Sequence, residues 1–216
     1  MLRLAFRLLA SFALCVTIDA FASGVQVVVK DNKGAAVTDA VVSLVPLDTA
    51  PVVTPSPTPT VIAQDGQEFD PHVTVIVVGT SVTFPNRDKI DHQVYSLSKT
   101  KPFEIPLYGA GTGRTLVFDK PGIVAIGCNI HDWMSAYIVV LATPHFQKTP
   151  GDGTADFSSL PPGRYRLDVW HPRLIGGSTR EVTISSGEDP AQTISVTLKP
   201  AKPIRRAPES MGGGYR

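Results

Sequence analysis

The stretch Cys128-Asn129-Ile130-His131-Asp132-Trp133-Met134 is the most informative part of this 216-residue chain. It places a thiol, an imidazole and a thioether at three-residue intervals, and His92 lies 36 positions before the cysteine. Sulfur and imidazole donors at such spacing can converge on one ion when a fold brings the two segments together. The pattern therefore predicts a metal site built from one loop and one distant histidine.

The donor set favours copper. Soft sulfur ligands select copper, and two histidines, one cysteine and a weak axial methionine are typical of type 1 (blue) copper sites that transfer electrons. Zinc is a lesser rival, because a Cys-His-His site can hold it but structural zinc rarely takes a thioether. We expect one type 1 copper ion, with strong ligands Cys128, His92 and His131 and a weak ligand Met134.

The first 22 residues have the pattern of a secretory signal peptide. Its positive region, apolar run and cleavage site are Arg3 with Arg7, Leu8–Val16, and Ala20-Phe21-Ala22. Leu14 before Cys15 is too large for lipoprotein processing, so plain secretion is favoured over lipidation. No later stretch approaches transmembrane length. The expectation is export to the periplasm, without a membrane span.

The cysteine count agrees with a metal site. The chain has two cysteines, and Cys15 lies in the predicted signal peptide. The exported chain would keep only Cys128, and an unpaired thiol in an oxidising compartment is protected when it holds a metal ion. The alternative is an inert buried thiol. The matched spacing of His131 and Met134 favours the metal.

Composition predicts an all-β protein. The formal net charge is +1, which argues against binding to nucleic acid or to an acidic membrane surface. Eighteen glycines and 19 prolines separate short apolar runs without helical periodicity. The apolar run Val25–Lys30, the turn signal of residues 31–34 and the run Ala40–Pro46 predict a hairpin-like opening. Residues 48–60, rich in proline and threonine, predict a linker.

Residues 61–144 resemble a cupredoxin, the small blue-copper domain of the plastocyanin and amicyanin type. The matching motifs are Phe69-x-Pro71, Gly79-x-x-Val82-x-Phe84-x-Asn86-x-Asp88, His92, Pro121-Gly122 and Cys128-x-x-His131-x-x-Met134. The resemblance implies a Greek-key β-sandwich with His92 at the end of one strand and the other three ligands on the loop joining the last two strands. Gln93 departs from the asparagine common after the first histidine.

The same resemblance implies roles for residues around the ligands. The edge of His131 would be exposed within an apolar patch and would be the electron's exit. Trp133 and Pro106 are candidates for that patch, although an aromatic beside such a loop can equally serve packing. Asn86 would connect the ligand loop to the neighbouring strand, with an ordinary turn residue as the alternative.

The flanks resemble a different β-sandwich, the carboxypeptidase-regulatory-like or transthyretin-like type, which is Ig-like in architecture. Residues 23–47 look like its first half and residues 145–198 like its second half, with motifs such as Leu160-Pro161-Pro162-Gly163-x-Tyr165. Neither half could bury its sheet alone, so we expect a discontinuous domain with the cupredoxin inserted. Residues 199–216 predict a disordered tail. The whole arrangement is similar to bacterial proteins labelled as methylamine utilisation proteins.

These features predict a periplasmic one-electron carrier rather than an enzyme. Its partner would be a periplasmic redox protein such as a c-type cytochrome or a dehydrogenase. Copper oxidases and nitrite reductases build extra copper centres from His-x-His pairs, which this chain lacks. The alternative is a copper-storage or surface-interaction protein with a structural or non-redox metal. His72, His145 and His171 have no partner at ligand spacing and are predicted to be solvated loop residues.

Overall fold

The computed structural model describes residues 23–201 except 186 and 188. The predicted signal peptide, 1–22, lies outside the described residues, as do positions 202–216 of the predicted tail. The described residues form strands, turns and loops. The strands are β1 (Ser23–Asp31), β2 (Val41–Pro46), β3 (Thr60–Val61), β4 (Ala63–Asp65), β5 (Glu68–Asp70), β6 (Val73–Val77), β7 (Thr80–Pro85), β8 (His92–Ser96), β9 (Phe103–Tyr108), β10 (Gly113–Phe118), β11 (Gly122–Gly127), β12 (Ser135–Leu141), β13 (Phe146–Lys148), β14 (Thr154–Leu160), β15 (Gly163–Trp170), β16 (Ser178–Ile184) and β17 (Gln192–Val196).

The middle of the chain forms one β-sandwich. One layer is a three-stranded sheet in the order β10, β7, β3, and the other a five-stranded sheet in the order β6, β12, β11, β8, β9. In β7 every second residue is buried, namely Thr80, Val82 and Phe84, as expected when one face of a strand meets a core. Both sheets contribute to a single hydrophobic core, which includes Phe84, Phe118, Val94, Val124, Ile126 and Ile138 and extends to Cys128 and Met134.

The flanking segments form a second β-sandwich. A three-stranded sheet in the order β14, β1, β17 faces a four-stranded sheet in the order β13, β2, β15, β16. Strand β15 alternates in the same way, with Tyr165, Leu167 and Val169 buried. The core of this sandwich combines residues from before position 45 with residues from after position 154, among them Val27, Val29, Leu44, Phe157, Leu167 and Ile194.

The opening segment is not a hairpin, so that prediction was wrong. Strand β1 pairs with β14 and in parallel with β17, whereas β2 pairs with β13 and β15. The turn signal at residues 31–34 does form a tight turn, in which the Gly34 N–H donates to the Asp31 carbonyl. The chain then crosses from one layer to the other, because both β1 and β2 must turn an apolar face towards the same core.

The chain leaves and re-enters the flanking sandwich at almost the same place. The Thr143 hydroxyl donates to the Leu44 carbonyl at 2.7 Å, and Phe146 pairs with Ser43 across β13 and β2. Residues 44–47 and 143–146 are therefore neighbours. Such close ends are what an inserted domain requires. The division into an inserted and a split domain remains our interpretation.

A small apolar cluster joins the two sandwiches. Val41 and Trp170 from the flanking sandwich pack with Val73 and Val139 on the outer face of the five-stranded sheet. The rings of Tyr137 and Trp170 meet edge to face, 5.5 Å apart. This contact lies on β6 and β12, away from the three-stranded sheet. It covers part of the outer face of the middle sandwich.

The all-β, β-sandwich prediction is confirmed. Residues 48–60 run mostly exposed between the sandwiches, and Asp48 accepts hydrogen bonds from the backbone and guanidinium of Arg164. Strand β9 contains Pro106 and lies at the edge of the five-stranded sheet, where a proline is tolerated. None of the described residues belongs to a helix with the length and apolarity needed to cross a bilayer.

Candidate metal centre

The loop between β11 and β12 carries three of the predicted ligands. Cys128 follows the last residue of β11, and Met134 precedes the first residue of β12. Because Gly127 pairs with Ser135, the two ends of the loop are neighbours. The Cys128 N–H donates to the Met134 carbonyl at 3.2 Å and the Met134 N–H to the His131 carbonyl at 2.9 Å. The loop is therefore tied closely to the two strands.

The structure brings His92 to this loop. His92 is the first residue of β8, which pairs with β11 through Tyr95 and Gly127. Its Nδ1 lies 4.0 Å from the Cys128 Sγ, and the His131 Nδ1 lies 3.8 Å from the same sulfur. The three donor atoms all lie within 4.8 Å of one another. Segments 36 residues apart in sequence thus meet at one point.

These distances fit a metal ion bound by all three atoms. Metal–nitrogen bonds of about 2.0 Å and metal–sulfur bonds of about 2.3 Å at tetrahedral to trigonal angles separate the donors by roughly 3.5–3.7 Å. The observed separations, 3.8 and 4.0 Å, are slightly longer. Small inward shifts of the side chains would close the difference. The residues present could hold one ion.

Met134 is the last residue of the ligand loop and is buried. Its side chain is buried in the core that also contains Cys128. A thioether tolerates burial because it is apolar and is only a weak acceptor. The role of Met134 as a weak fourth ligand stays a prediction.

A carboxylate orients His92. The His92 imidazole is fully buried, with 0% of its surface exposed, and its Nε2 lies 2.7 Å from the Asp88 Oδ2. Burial opposes ionisation of Asp88, but hydrogen bonds from Gln67, His92 and Gly66 outweigh it and hold the pKa of the carboxyl below its ordinary value. An ionised Asp88 accepts the proton on Nε2, which leaves the Nδ1 lone pair facing the sulfur.

His131 is the more exposed histidine of the pair. Burial, followed by the nearby His92, lowers the pKa of His131, which favours the neutral imidazole that metals bind. Its ring centroid lies 4.9 Å from that of His92 and 5.3 Å from that of Trp133. Trp133 packs against the core and donates from Nε1 to the Gln67 carbonyl at 3.0 Å. It therefore has a packing role beside the ligand loop.

The role expected for Asn86 needs correction. The buried Asn86 amide donates to the carbonyls of Ile90 and Tyr108 and accepts from the Asp88 N–H. Among the described residues, none of the Asn86 side-chain bonds reaches the loop 128–134. Asn86 instead holds the turn that precedes His92 against β9, because its side chain points along the 86–90 turn.

The surroundings of His92 include features that sequence reasoning missed. The pairing of β8 with β9 is irregular at Gln93, whose side chain donates to Glu104. At this irregularity Gln93 lies opposite two residues of β9, Pro106 and Leu107, and both are exposed. Asp88 was predicted only as one position of the cupredoxin-like motif, without a role of its own. Its spacing of four residues from His92 has no fixed meaning outside a helix, so the contact could not be predicted.

Three partly exposed apolar side chains lie at this end of the sandwich. Ile130 is next to His131 in the loop, and its side chain is exposed. Leu107 is next to Tyr108, which pairs with His92. Ile90 is close to the same strand, because the Asn86 amide donates to the carbonyls of both Ile90 and Tyr108. Pro106, a predicted patch residue, is exposed beside Leu107. We define Ile90, Pro106, Leu107 and Ile130 as the apolar rim.

The remaining histidines lie elsewhere. In the part of the chain that the structure describes, His92, Cys128 and His131 form the group of histidine, cysteine or acidic residues able to share an ion. His72 is exposed, with Nδ1 2.9 Å from the Ser135 carbonyl. His145 and His171 are partly buried rather than solvated, and burial is the main cause that lowers the pKa of each.

Comparisons with known proteins found similarity to solved structures but not to family models or curated sequences. No family model and no curated protein sequence matches the chain. A copper-containing nitrite reductase from Thermus scotoductus is 29% identical over 44% of this chain, with a TM-score of 0.38. A purple cupredoxin from Nitrosopumilus maritimus is 26% identical over 38%, with a TM-score of 0.35. A reduced amicyanin variant is 18% identical over 48%, with a TM-score of 0.37.

The extent of these matches differs between neighbours. The chain covers 25% of the nitrite reductase, but 99% of the purple cupredoxin and of the amicyanin variant. At such TM-scores the likenesses do not identify the chain as any of these proteins.

Replacing Asp88 by asparagine should weaken metal binding. The variant keeps the size of the side chain but loses the charge and one of the two acceptor oxygens used by His92, Gly66 and Gln67. Loss of a partner that orients a metal-binding histidine typically costs about 10- to 100-fold in metal affinity. Competition titration with a copper chelator measures it. Asp119→Asn, an exposed aspartate paired with Lys101, is the matched control and should bind like the parent protein.

Acid should destabilise the metal-free protein in two stages. The lowered pKa of His131 means that the unfolded chain takes up its proton first, so stability falls as the pH drops below about 6.5. His145 and His171 act in the same window. The pKa of Asp88 is lower in the folded protein than in the unfolded chain, so this carboxylate stabilises the fold at a pH above its unfolded pKa. That stability is lost as the pH falls through the pKa of Asp88 in the folded protein. Melting temperature against pH measures both stages; His131→Gln should shrink the first, and an unchanged profile would contradict the assignment.

Proposed function

We propose that this protein is a periplasmic type 1 copper protein that carries one electron between redox partners. The observation that supports it best is the convergence of two imidazole Nδ1 atoms on one cysteine sulfur, with all three donors within 4.8 Å. A copper ion held there would supply reversible one-electron chemistry. Met134, buried in the same core as Cys128, completes the set that this chemistry prefers.

The scaffold suits electron transfer. His92, Cys128 and Met134 are buried, and each is next to or within a strand of the five-stranded sheet. Side chains held by close packing and by a hydrogen bond such as that from His92 to Asp88 change position little. A site with little freedom to rearrange lowers the reorganisation that accompanies each transfer. The role of the protein is therefore to hold the donors in one arrangement for both oxidation states.

The exit for the electron is the side of His131. Its ring is partly exposed whereas that of His92 is sealed from solvent. The apolar rim lies at the same end of the sandwich and offers a surface that a partner could cover. Apolar patches of this kind are typical of interaction sites. A c-type cytochrome or a dehydrogenase of the periplasm is the proposed class of partner.

A reduction titration followed by stopped-flow mixing with c-type cytochromes tests this function. We expect reversible oxidation and reduction of the copper-loaded protein and electron exchange with at least one cytochrome. Leu107→Glu, in the apolar rim, should slow the exchange on the order of tenfold, because a charge is placed in the interface. The reduction potential of the Leu107→Glu variant should stay close to that of the parent protein.

Val117→Glu is the matched control for the rim variant. Val117 is exposed to 49% and Leu107 to 54%, but Val117 pairs with Ser81 at the start of β7, away from the end that carries Asn86 and His92. It should leave the exchange rate unchanged. Copper that binds but does not cycle between oxidation states would reject the carrier function and favour storage.

A further inference from the structure

The two-residue turn Gly66-Gln67, hereafter the bridging turn, contacts both sides of the candidate metal centre. It joins β4 to β5, and Asp65 pairs with Glu68 across it. Both turn residues have positive φ, 61° for Gly66 and 59° for Gln67, as the tightest hairpin turns require. A glutamine in the left-handed region is uncommon and persists where surrounding contacts hold it.

One side of the bridging turn is bonded to Asp88. The Gly66 N–H donates to Oδ1 at 2.7 Å, and the Gln67 N–H donates to Oδ2 at 2.8 Å. The same Oδ2 lies 2.7 Å from the His92 Nε2. The carboxylate is mostly buried, with 14% of its side chain exposed, so water competes little for these bonds. The turn therefore reaches His92 through one carboxylate.

The other side of the bridging turn is bonded to Trp133. The indole N–H donates to the Gln67 carbonyl at 3.0 Å. The indole ring lies 5.3 Å from the His131 ring at an interplanar angle of 51°, and it packs against the core of the middle sandwich. The hydrogen bond fixes the indole, and the indole limits the movement of the His131 ring. The turn therefore reaches His131 through one aromatic side chain.

We propose that the bridging turn positions the two imidazoles together, with Asp88 and Trp133 as positioning residues on its two sides. His92 and His131 belong to separate segments, and the turn bonds to a neighbour of each. A site whose supports are linked in this way is preorganised before the ion arrives. The inference rests on the proposed function for the identity of the ion, but the linkage itself is a property of the metal-free chain.

Hydrogen exchange in the metal-free protein tests the linkage. The chain has two tryptophans, Trp133 and Trp170, so each indole N–H can be followed by NMR in one spectrum. Asp88→Asn removes an acceptor from the far side of the turn. If the turn links the two sides, exchange of the Trp133 indole should accelerate about tenfold. Trp170, in the flanking sandwich, should exchange at the parent rate, and Asp119→Asn should change neither signal.

The reverse substitution tests the linkage from the other side. Trp133→Phe keeps an aromatic ring beside His131 but removes the N–H that binds the Gln67 carbonyl. Exchange of the His92 Nε2 proton should then accelerate by a similar factor, although the indole N–H donates to the turn and not to His92. A change confined to His131 would overturn the proposal. So would an unchanged Trp133 exchange rate in a folded Asp88→Asn variant.

The loaded protein gives a second readout. Gln67→Gly keeps all three hydrogen bonds to the backbone of the turn but makes the turn more flexible, whereas Trp133→Phe removes one of the three. Both should shift the reduction potential of the bound copper in the same direction, with Trp133→Phe the larger effect. Failure to bind copper would reject the proposed function while the exchange results in metal-free protein still decide the linkage. Opposite shifts would count against a shared support.

Discussion

Replacing Cys128 by serine is expected to abolish the visible colour of the copper(II)-loaded protein. The intense band of a type 1 site arises from charge transfer between a cysteine thiolate and copper. Serine has no sulfur, and its hydroxyl stays protonated at neutral pH, so it cannot give this band. Cys128 is the sulfur on which both imidazole Nδ1 atoms converge, at 3.8 and 4.0 Å. The substitution replaces a buried sulfur atom by oxygen and leaves the backbone hydrogen bonds of the loop unaffected. The spectrum should therefore change completely while the fold persists.

Absorption spectra before and after copper addition, with circular dichroism of each protein, make the measurement. Met134→Leu is the informative partner variant, because it keeps the volume and the apolar character of a weak ligand and leaves the three strong donors in place. It should remain coloured, with a shifted reduction potential. A parent protein that stays colourless with bound copper would reject the type 1 assignment. An undiminished band in Cys128→Ser would do the same.

Excision of residues 61–142 is expected to leave a folded flanking sandwich. The core of that sandwich draws on residues before position 45 and after position 154, so its apolar contacts survive the cut. The excision keeps Thr143, whose hydroxyl bonds to the Leu44 carbonyl, and the ion pair between Asp48 and Arg164. Residues 49–60 would then close a loop between two neighbouring points.

The remaining sandwich should melt cooperatively, at a lower temperature than in the full chain. Val41 and Trp170 lose their partners Val73 and Val139, and exposing such a cluster costs on the order of a few kcal/mol. Differential scanning calorimetry measures the transition. Val41→Ser with Trp170→Gln in the excised chain would restore solubility if exposed surface alone causes aggregation. Non-cooperative melting of both versions would show that the inserted domain interpretation is incorrect.

The prediction of the site rested mainly on residues that are close together in the sequence. Cys128, His131 and Met134 stand at equal intervals in one short loop, and loop length limits how far apart their side chains can be. The all-β class was equally readable, because alternating apolar residues such as those of β7 and β15 have a strand period. His92 was predicted from the donor set that type 1 copper sites use, and the resemblance to cupredoxins gave the same residue. Its spacing from Cys128 carries no geometric information.

The pairing of strands was not readable in the same way. Residues 31–34 predict a turn correctly, yet the strands on either side of it lie in different sheets. A turn sequence determines the local reversal of the chain, whereas the partner of each strand depends on which apolar faces share a core. The distant pairing of β1 with β17 has no signal in either segment taken alone.

The sequence by itself determined the donor types, their order in the ligand loop and the strand-rich character of the chain, because these depend on residues close together in the chain. Only the tertiary structure decided which atoms face the ion and what holds them. The contact of Asp88 with His92, the bond from Trp133 to Gln67 and the apolar rim each join segments that are distant in sequence or that meet through turns. Such contacts arise from packing of the whole sandwich, and short-range patterns do not encode them.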